Sequence, residues 1–253
     1  MTGAFQWSPG PQRPRLTVQD VHVWRAGLDL SDAELRAGAG LLNEEESARA
    51  RECRLPHERA RFVAAHAALR TVLARYCDVS PRRLRFARSD RGRPYLVQPL
   101  IDGLDFNMSH TAETALIAVA LGRRVGVDIE HIDPSVDHMG LARRFLGAED
   151  VEAIRALPAE SGRRLFFTRW TWRESHAKAV DGPLSRRLMA VQTDGIPVRV
   201  GSWSLWNVPV GPTACATLAV MRDPELPQRV RLYDYLSAET GSFSAVGSGG
   251  ATE

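Results

Sequence analysis

The 253-residue chain has almost no lysine. Lysine and arginine together number 33, and Lys178 is the single lysine among them. Lysine carries a compact ammonium on a flexible stem, whereas arginine carries a planar fork of donors, so the two cations are not interchangeable. In a chain that relies on arginine elsewhere, Lys178 is a candidate for a position that requires an ammonium.

Cysteines are also few: Cys53, Cys77 and Cys215 are widely spaced and form no CxxC pattern. This spacing argues against a disulfide scaffold or a zinc site and favours a reducing compartment. Residues 1–15 contain three prolines and lack the apolar core of a signal peptide. The longest apolar run, Ala115–Leu121, is too short to cross a bilayer. We therefore expect a cytoplasmic protein without a membrane segment.

The chain is mildly basic, with a formal net charge of +3. Hydrophobic residues make up 44% and charged residues 25%, which is typical of a soluble globular protein. A small positive excess fits a polyanionic ligand such as a nucleotide, or an acidic protein partner. Because the net charge is small and no recognised binding motif is present, we do not expect nucleic acid as a partner.

Helix-like and strand-like segments are mixed along the chain, so the expected fold class is α+β. We expect an irregular N-terminal segment at residues 1–20, an N-terminal half at 21–122, a C-terminal half at 123–222 and a C-terminal extension at 223–253. The second half includes a predicted strand at Arg187–Gln192. From Gly241 the chain is rich in Ser, Gly, Ala and Thr, a composition typical of a disordered tail.

The segment around Lys178 predicts a helix at Arg163–Val180, in which Glu174 and Lys178 lie one turn apart. Aromatic residues in the preceding turns predict that the start of this helix is anchored in the core. Taken alone, a carboxylate one turn from an ammonium is more often a surface ion pair than part of a functional site.

The hexapeptide Val125–Glu130 predicts a strand with three aliphatic side chains on one face and Asp128 and Glu130 on the other. Two neighbouring carboxylates repel each other unless water solvates them or a cation is shared between them. A solvated strand face is one interpretation. The other is a Mg²⁺ site, since Mg²⁺ prefers oxygen ligands, with Glu174 as the third carboxylate.

Three further segments offer candidate ligand contacts. Ser109 and His110 precede a buried strand and provide a hydroxyl and an imidazole. The turn Arg91–Pro94 is basic, and its glycine allows a backbone to approach a ligand closely. Several arginines lie in a helical region at Arg49–Arg61. Each segment also has a structural interpretation, because strand-edge histidines and solvated basic surfaces are common.

In their order along the chain, four motifs resemble those of the Sfp-type 4′-phosphopantetheinyl transferases. The matching segments are Arg91-Gly92-Arg93-Pro94, Phe106-Asn107-Met108-Ser109-His110, Gly126-Val127-Asp128-Ile129-Glu130 and Trp170-Thr171-Trp172-Arg173-Glu174-Ser175-His176-Ala177-Lys178-Ala179. The resemblance extends from about Val21 to Met221. Arg93 and Arg173 stand where the family commonly has lysine, and Asp181–Leu184 replaces its Gly-x-Gly-Leu, which leaves the roles of Arg173 and of this loop open.

The resemblance implies transfer of the phosphopantetheine arm of coenzyme A to a serine of an acyl or peptidyl carrier protein, with release of 3′,5′-ADP. It also implies two similar halves related by a pseudo-twofold axis, with coenzyme A in the cleft between them. A monomer would then form the whole cleft. Which carrier protein is preferred is left open.

The resemblance also assigns roles to individual residues. Mg²⁺, or Mn²⁺ in its place, would be held by Asp128, Glu130 and Glu174. Catalysis would depend on Glu174 as the base, either directly or through a metal-bound water, with Lys178 and His110 contacting the pyrophosphate. Contacts to coenzyme A would come from Arg49, Arg61, Arg93, Pro94, Ser109, His110, Asp128 and Lys178. Among these, the three arginines are candidates for the adenosine 3′-phosphate and the neighbouring nucleotide groups, since arginine binds phosphate through two donors.

Two other functions would use the same residues. Another Mg²⁺-dependent phosphoester hydrolase would consume coenzyme A without adding mass to a protein. A non-catalytic module would bind coenzyme A or another nucleotide and modify nothing.

Overall fold

The fold combines helices with mainly antiparallel sheets over residues 5–184, 198–223 and 228–235, the ranges that this computed structural model describes. The α-helices in these ranges are α1 Asp32–Ala39, α2 Glu44–Glu52, α3 Pro56–Cys77, α4 His138–Phe145, α5 Ala148–Arg155 and α6 Ala159–Val180. The strands are β1 Trp7–Pro9, β2 Asp20–Gly27, β3 Arg85–Arg88, β4 Pro94–Gln98, β5 Leu104–Thr111, β6 Thr114–Leu121, β7 Val125–His131, β8 Val198–Val200, β9 Trp203–Asn207, β10 Ala214–Met221 and β11 Arg229–Asp234. The predicted strand at Arg187–Gln192 and the predicted tail from Gly241 lie outside the described residues.

Two halves of similar construction form the molecule. The N-terminal half has a sheet of order β1-β11-β2-β6-β5 with the long helix α3, and the C-terminal half has a sheet of order β7-β10-β9-β8 with the long helix α6. Both helices have 22 residues and end at an aspartate in the left-handed conformation, Asp78 or Asp181. The chain passes between the halves in the turn from β6 to β7, where Gly122 has a φ of 68°. The expected α+β class with two similar halves is confirmed.

The ends of the described chain belong to the first sheet, which corrects two predictions. Trp7–Pro9, expected to be irregular, forms β1, and Arg229–Asp234, expected in an extension outside both halves, forms β11. β11 pairs in parallel with β2, and β1 pairs in parallel with β11. Strands this short contain too few apolar residues for a period to be recognised, so burial between neighbouring strands decides their structure.

Helix α3 packs against the sheet of the N-terminal half. Leu69 and Leu73 are buried, as the helical period predicts, whereas Phe62 is only half-buried. Arg70, a residue type that usually faces solvent, is fully buried on this helix. Arg70 Nε donates to Glu46 Oε2 at 2.7 Å. A sequence pattern does not reveal this pair, because the carboxylate that compensates the arginine lies on a different helix, α2.

The two halves meet where β5 and β7 lie side by side without backbone pairing. Side-chain oxygens of β5, two residues apart, instead accept hydrogen bonds from backbone N–H groups of β7. The pairs are Asp105 with Val125 at 2.8 Å, Asn107 with Val127 at 2.8 Å, Ser109 with Ile129 at 3.4 Å and Thr111 with His131 at 3.3 Å. Backbone-paired strands lie about 4.8 Å apart, so strands joined through side chains are spaced more widely. This side-chain ladder leaves room for a cleft between the halves.

Helix α6 packs closely against β7 of the same half. Gly126 is needed for this approach, because a Cβ at this position would lie 2.1 Å from the carbonyl oxygen of Ser175. The close contact places one face of α6 directly beside β7 and the side-chain ladder. Neither α6 nor any other helix in the described ranges is both long and apolar enough to cross a membrane.

The ladder predicts a specific loss of stability for Asn107→Ala. The buried N–H of Val127 would lose its acceptor, and an unsatisfied buried donor costs about 1–3 kcal/mol. Thr111→Val is the matched control, because it removes the same kind of bond at the exposed end of the ladder, where water can replace it. Urea unfolding followed by circular dichroism should show a lower midpoint for Asn107→Ala than for Thr111→Val. Equal midpoints would contradict the role given to the ladder.

Candidate active site

Asp128 of β7, Lys178 of α6 and Ser109 of β5 are in direct contact. Lys178 Nζ donates to Asp128 Oδ1 at 2.6 Å and to Ser109 Oγ at 3.0 Å, and Ser109 Oγ donates to Asp128 Oδ1 at 3.0 Å. Asp128 is only 2% exposed, and Ser109 is also buried. Because Ser109 belongs to the N-terminal half and the other two residues to the C-terminal half, this cluster forms only when the halves are packed together.

Glu130 and Glu174 are electrostatically coupled to Asp128. Burial raises the pKa of Glu130 to about 7, and the negative charge of Asp128 adds to this effect. Burial also raises the pKa of Glu174, again reinforced by Asp128 and opposed by Lys178. Carboxylates affect one another in this way only at short range in a poorly solvated region. The three acids predicted from the sequence therefore lie in one region.

The carboxylates have the chemistry of a divalent-cation site. Asp128 Oδ2 is buried without a hydrogen-bond partner, and a buried charged oxygen is stabilised by an ion or a water molecule. All three groups provide the oxygen ligands that Mg²⁺ and Mn²⁺ prefer. In the part of the chain that the structure describes, no three His, Cys, Asp or Glu side chains are already arranged around a metal position. The carboxylate oxygens of these three residues therefore fit Mg²⁺ or Mn²⁺ as ligands. In this structure, the ammonium of Lys178 contacts Asp128 Oδ1.

A cavity of about 490 Å³ lies between the halves beside this cluster. Its lining includes the turn Arg91–Pro94, Asn107 and Met108 of β5, Glu174 and Lys178 of α6, and the loop Asp181–Leu184. The predicted basic turn, Pro94 included, thus borders the same space as the predicted catalytic helix. The loop whose role the sequence left open is also part of this cavity.

His110 follows Ser109 and is exposed at the surface. Its ring is nevertheless partly desolvated by the surrounding protein, and this desolvation lowers its pKa. The positive charges of His66, Lys178 and Arg61 lower the pKa of His110 further. His66 and Arg61 belong to α3 and Lys178 to α6, so both long helices place cations near His110. Such a group of cations is suited to anionic ligands.

Arg49 and Arg61, two predicted contacts to the nucleotide, lie on α2 and α3. The guanidinium of Arg49 is 5.3 Å from the centroid of the Phe62 ring. Within the described ranges, neither arginine forms an ion pair with a carboxylate. Both therefore keep their charge available for a ligand.

Arg93, predicted to contact coenzyme A, joins the two halves. One terminal nitrogen donates to Asp105 at 2.7 Å and to the carbonyls of Phe106 and Val125 at 2.9 Å each, and the other donates to the carbonyl of Lys178. The side chain is 6% exposed and also belongs to the lining of the cavity. The contact of Arg93 with coenzyme A stays a prediction. The sequence around a basic residue in a turn does not show whether its side chain points into the protein. Here the inward orientation of Arg93 depends on its ion pair with Asp105 of β5.

Arg173 has a structural role that the sequence did not reveal. It is buried, and its guanidinium donates to Asp150 of α5 and to the carbonyl of Arg169 one turn earlier in α6. Asp150 also pairs with Arg169. Arg173 therefore fastens α5 to the catalytic helix and contacts neither solvent nor the cavity.

Sequence reasoning missed His66 and Phe62. Their rings stack with centroids 4.0 Å apart, and His66 is one of the charges that act on His110. The available signal was their four-residue spacing beside Arg61, which places them as neighbours on one helix face. This signal is weak, because aromatic residues at helical spacing are usually core residues.

Comparison with known proteins matches both halves. Residues 29–121 match 4′-phosphopantetheinyl transferase, N-terminal, and residues 124–206 match the 4′-phosphopantetheinyl transferase superfamily. The two matches meet at the turn between β6 and β7, where the chain passes from one half to the other.

Several known proteins are similar in sequence. The 4′-phosphopantetheinyl transferase HetI of Nostoc sp. is 33% identical over 205 residues, which cover 80% of this chain and 86% of HetI. A phosphopantetheinyl transferase of Thraustochytrium sp. is 27% identical over 60% of this chain and 56% of its own length, and a 4′-phosphopantetheinyl transferase of Bacillus subtilis is 26% identical over 46% and 50%, respectively. Since both halves match and the similarity to HetI spans most of that protein, this chain belongs to the 4′-phosphopantetheinyl transferase superfamily.

Proposed function

We propose that this protein transfers the 4′-phosphopantetheine arm of coenzyme A to a serine hydroxyl of an acyl or peptidyl carrier protein. The serine oxygen forms a bond to the β-phosphorus, the bond from that phosphorus to the bridging oxygen breaks, and 3′,5′-ADP leaves with that oxygen. The observation that carries the proposal is the contact of Lys178 with Asp128 and Ser109, beside two more carboxylates and a cavity between the halves.

Phosphoryl transfer of this kind depends mainly on positioning and charge neutralisation. Asp128, Glu130 and Glu174 would hold Mg²⁺ or Mn²⁺, which supplies positive charge to a pyrophosphate when it is bound. Lys178 brings an ammonium to the same place, and His110 can donate a hydrogen bond to a phosphate oxygen. Coenzyme A is the ligand whose pyrophosphate these groups fit.

Glu174 is the proposed base for the serine of the carrier. Its carboxylate lines the cavity, and its raised pKa brings it closer to neutral pH, where a general base is most effective. Glu174 would accept the proton of the serine hydroxyl on a carboxylate oxygen as the new phosphoester bond forms.

The proposal includes a monomeric enzyme in the cytoplasm. Residues of one chain line both sides of the cavity, so a second subunit is not needed to complete it. Cys53, Cys77 and Cys215 are all free thiols, as a reducing compartment allows.

Intact mass spectrometry tests the activity directly. An apo acyl or peptidyl carrier protein incubated with this protein, coenzyme A and Mg²⁺ should gain the mass of one phosphopantetheine arm and release 3′,5′-ADP. Omission of the metal with added chelator should stop the gain. Coenzyme A breakdown with no mass added to the carrier would indicate a hydrolase instead, and binding without any reaction would indicate a non-catalytic module.

Asp128→Ala should lower the transfer rate by roughly 100-fold or more, because the variant loses a metal ligand and the partner of Lys178. Initial rates of mass gain and a thermal melt would be measured together, since the fold should remain intact. Asp102→Ala, at an exposed position in a loop, is the matched control and should retain the wild-type rate. A rate near wild type for Asp128→Ala would remove this residue from the site.

Lys178→Arg should lose roughly 10-fold or more in rate even though the charge is kept. The ammonium fits between Asp128 Oδ1 and Ser109 Oγ, whereas a planar guanidinium is larger and directs its donors differently. Arg155→Lys on the exposed surface of α5 makes the reverse exchange and should not change the rate. Wild-type kinetics for Lys178→Arg would show that any cation suffices.

A further inference from the structure

The last turn of helix α6 is held by two arginines from outside the helix. An α-helix leaves its last four carbonyl groups without partners of its own. Lys178 lies two residues before Val180, the last residue of α6, so its carbonyl is one of these groups. A terminal nitrogen of Arg93 donates to this carbonyl, and Arg124 Nε donates to the next one, that of Ala179, at 3.3 Å. Cations at this end of a helix also interact favourably with the helix dipole.

Asp105 of β5 fixes the position of Arg93. Asp105 Oδ2 accepts from the other terminal nitrogen of Arg93 at 2.7 Å and from the N–H of Val125 at 2.8 Å, and it lies 3.9 Å from Arg124 Nε. The side chain of Arg93 is 6% exposed, whereas that of Arg124 is 44% exposed. A buried charge has to be paired and hydrogen-bonded, and Arg93 achieves this with Asp105 and three backbone carbonyls. The end of α6 is therefore attached to a guanidinium that the N-terminal half holds in place.

Lys178 is thereby held both by its backbone and by its ammonium. The backbone carbonyl accepts from Arg93, and the ammonium donates to Asp128 at 2.6 Å and to Ser109 at 3.0 Å. Helix ends fray, and the four-carbon stem of lysine is flexible, so the side chain alone does not fix this position. A misplacement of about 1 Å in a catalytic site can lower a rate by roughly 100-fold. A restraint on the carbonyl of Lys178 therefore bears directly on where its ammonium lies.

We propose that Arg93 is a positioning residue for the transfer reaction and acts through the backbone of Lys178. This inference rests on the proposed function, because it takes Lys178 as part of the catalytic site. The donors of a guanidinium form a planar fork, so Arg93 can reach Asp105 with one nitrogen and the carbonyl of Lys178 with the other. An ammonium is a single compact charge and does not span the two acceptors in the same way. Through Arg93, the packing of the two halves determines where the ammonium of Lys178 lies.

The single lysine of the chain allows the contact itself to be observed by NMR. Protein labelled with ¹³C at the lysine carbonyl gives one carbonyl signal, that of Lys178. A hydrogen bond deshields a carbonyl carbon, so Arg93→Gln, whose shorter side chain does not reach the carbonyl, should shift this signal upfield. Arg124→Gln removes the bond to the neighbouring carbonyl of Ala179 and is the matched control, in which the signal should stay in place. An unchanged signal in Arg93→Gln would overturn the proposal.

Rates of carrier modification test whether Arg93 acts through Lys178. Arg93→Lys keeps a charge beside the buried Asp105 and should lower kcat/KM by roughly 10- to 100-fold. In a Lys178→Ala background the same substitution should lower kcat/KM by less than about a further twofold, because no ammonium is left to position. Arg124→Lys is the control at the more exposed arginine and should change the rate by less than about threefold. Lys178→Met, which keeps an unbranched stem, replaces Lys178→Ala if thermal melts show that Lys178→Ala does not fold.

The comparison of the two backgrounds separates positioning from other roles of Arg93. A direct contact with coenzyme A, or a general contribution to stability, would lower kcat/KM by the same factor with and without the ammonium of Lys178. Equal losses in both backgrounds would therefore overturn the proposal while the activity stands. A wild-type protein that adds no mass to any carrier protein would instead contradict the proposed function, whatever the signal of the Lys178 carbonyl shows.

Discussion

The ladder of side-chain hydrogen bonds between β5 and β7 is the interaction on which the rest of the structure depends. It joins the two sheets through polar side chains of β5 instead of backbone groups, so the halves are fixed in register and still spaced apart. Ser109 shows the consequence most directly. The same hydroxyl oxygen accepts from Ile129 in the ladder and contacts Lys178 and Asp128 in the candidate site. Stability at the seam and assembly of the site therefore come from one set of residues.

Arginine and lysine have different roles at this seam. Arg93 and Arg173 are buried, and their planar donor groups satisfy carbonyls and carboxylates that hold α6 in place. Lys178, on the helix thus positioned, directs a compact ammonium to one carboxylate oxygen and one hydroxyl. The use of a single lysine in this chain agrees with that division. The buried carboxylates around the ammonium repel one another, so a further bound cation would stabilise their ionised forms. This repulsion is the electrostatic basis of the proposed metal and pyrophosphate site.

Much of the candidate site could be predicted from short segments of sequence. Asp128 and Glu130 share a strand face because side chains alternate, and Glu174 and Lys178 share a helix face because residues four apart are neighbours. Those rules are local, and the structure places these residues in one region. Arg93, Arg70 and Arg173 could not be predicted in the same way. Whether an arginine faces solvent, a ligand or a buried carboxylate depends on residues far away in the chain, here Asp105, Glu46 and Asp150.

By itself, the sequence determined the α+β class, the helix that carries Glu174 and Lys178, and the strand that carries Asp128. These features follow from periodicity and composition over a few turns or residues. Only the tertiary structure decided that β1 and β11 complete the first sheet and that Arg93 joins the halves. The physical reason is that these contacts link residues distant in sequence. Their free energy depends on burial and on partners that no local pattern contains.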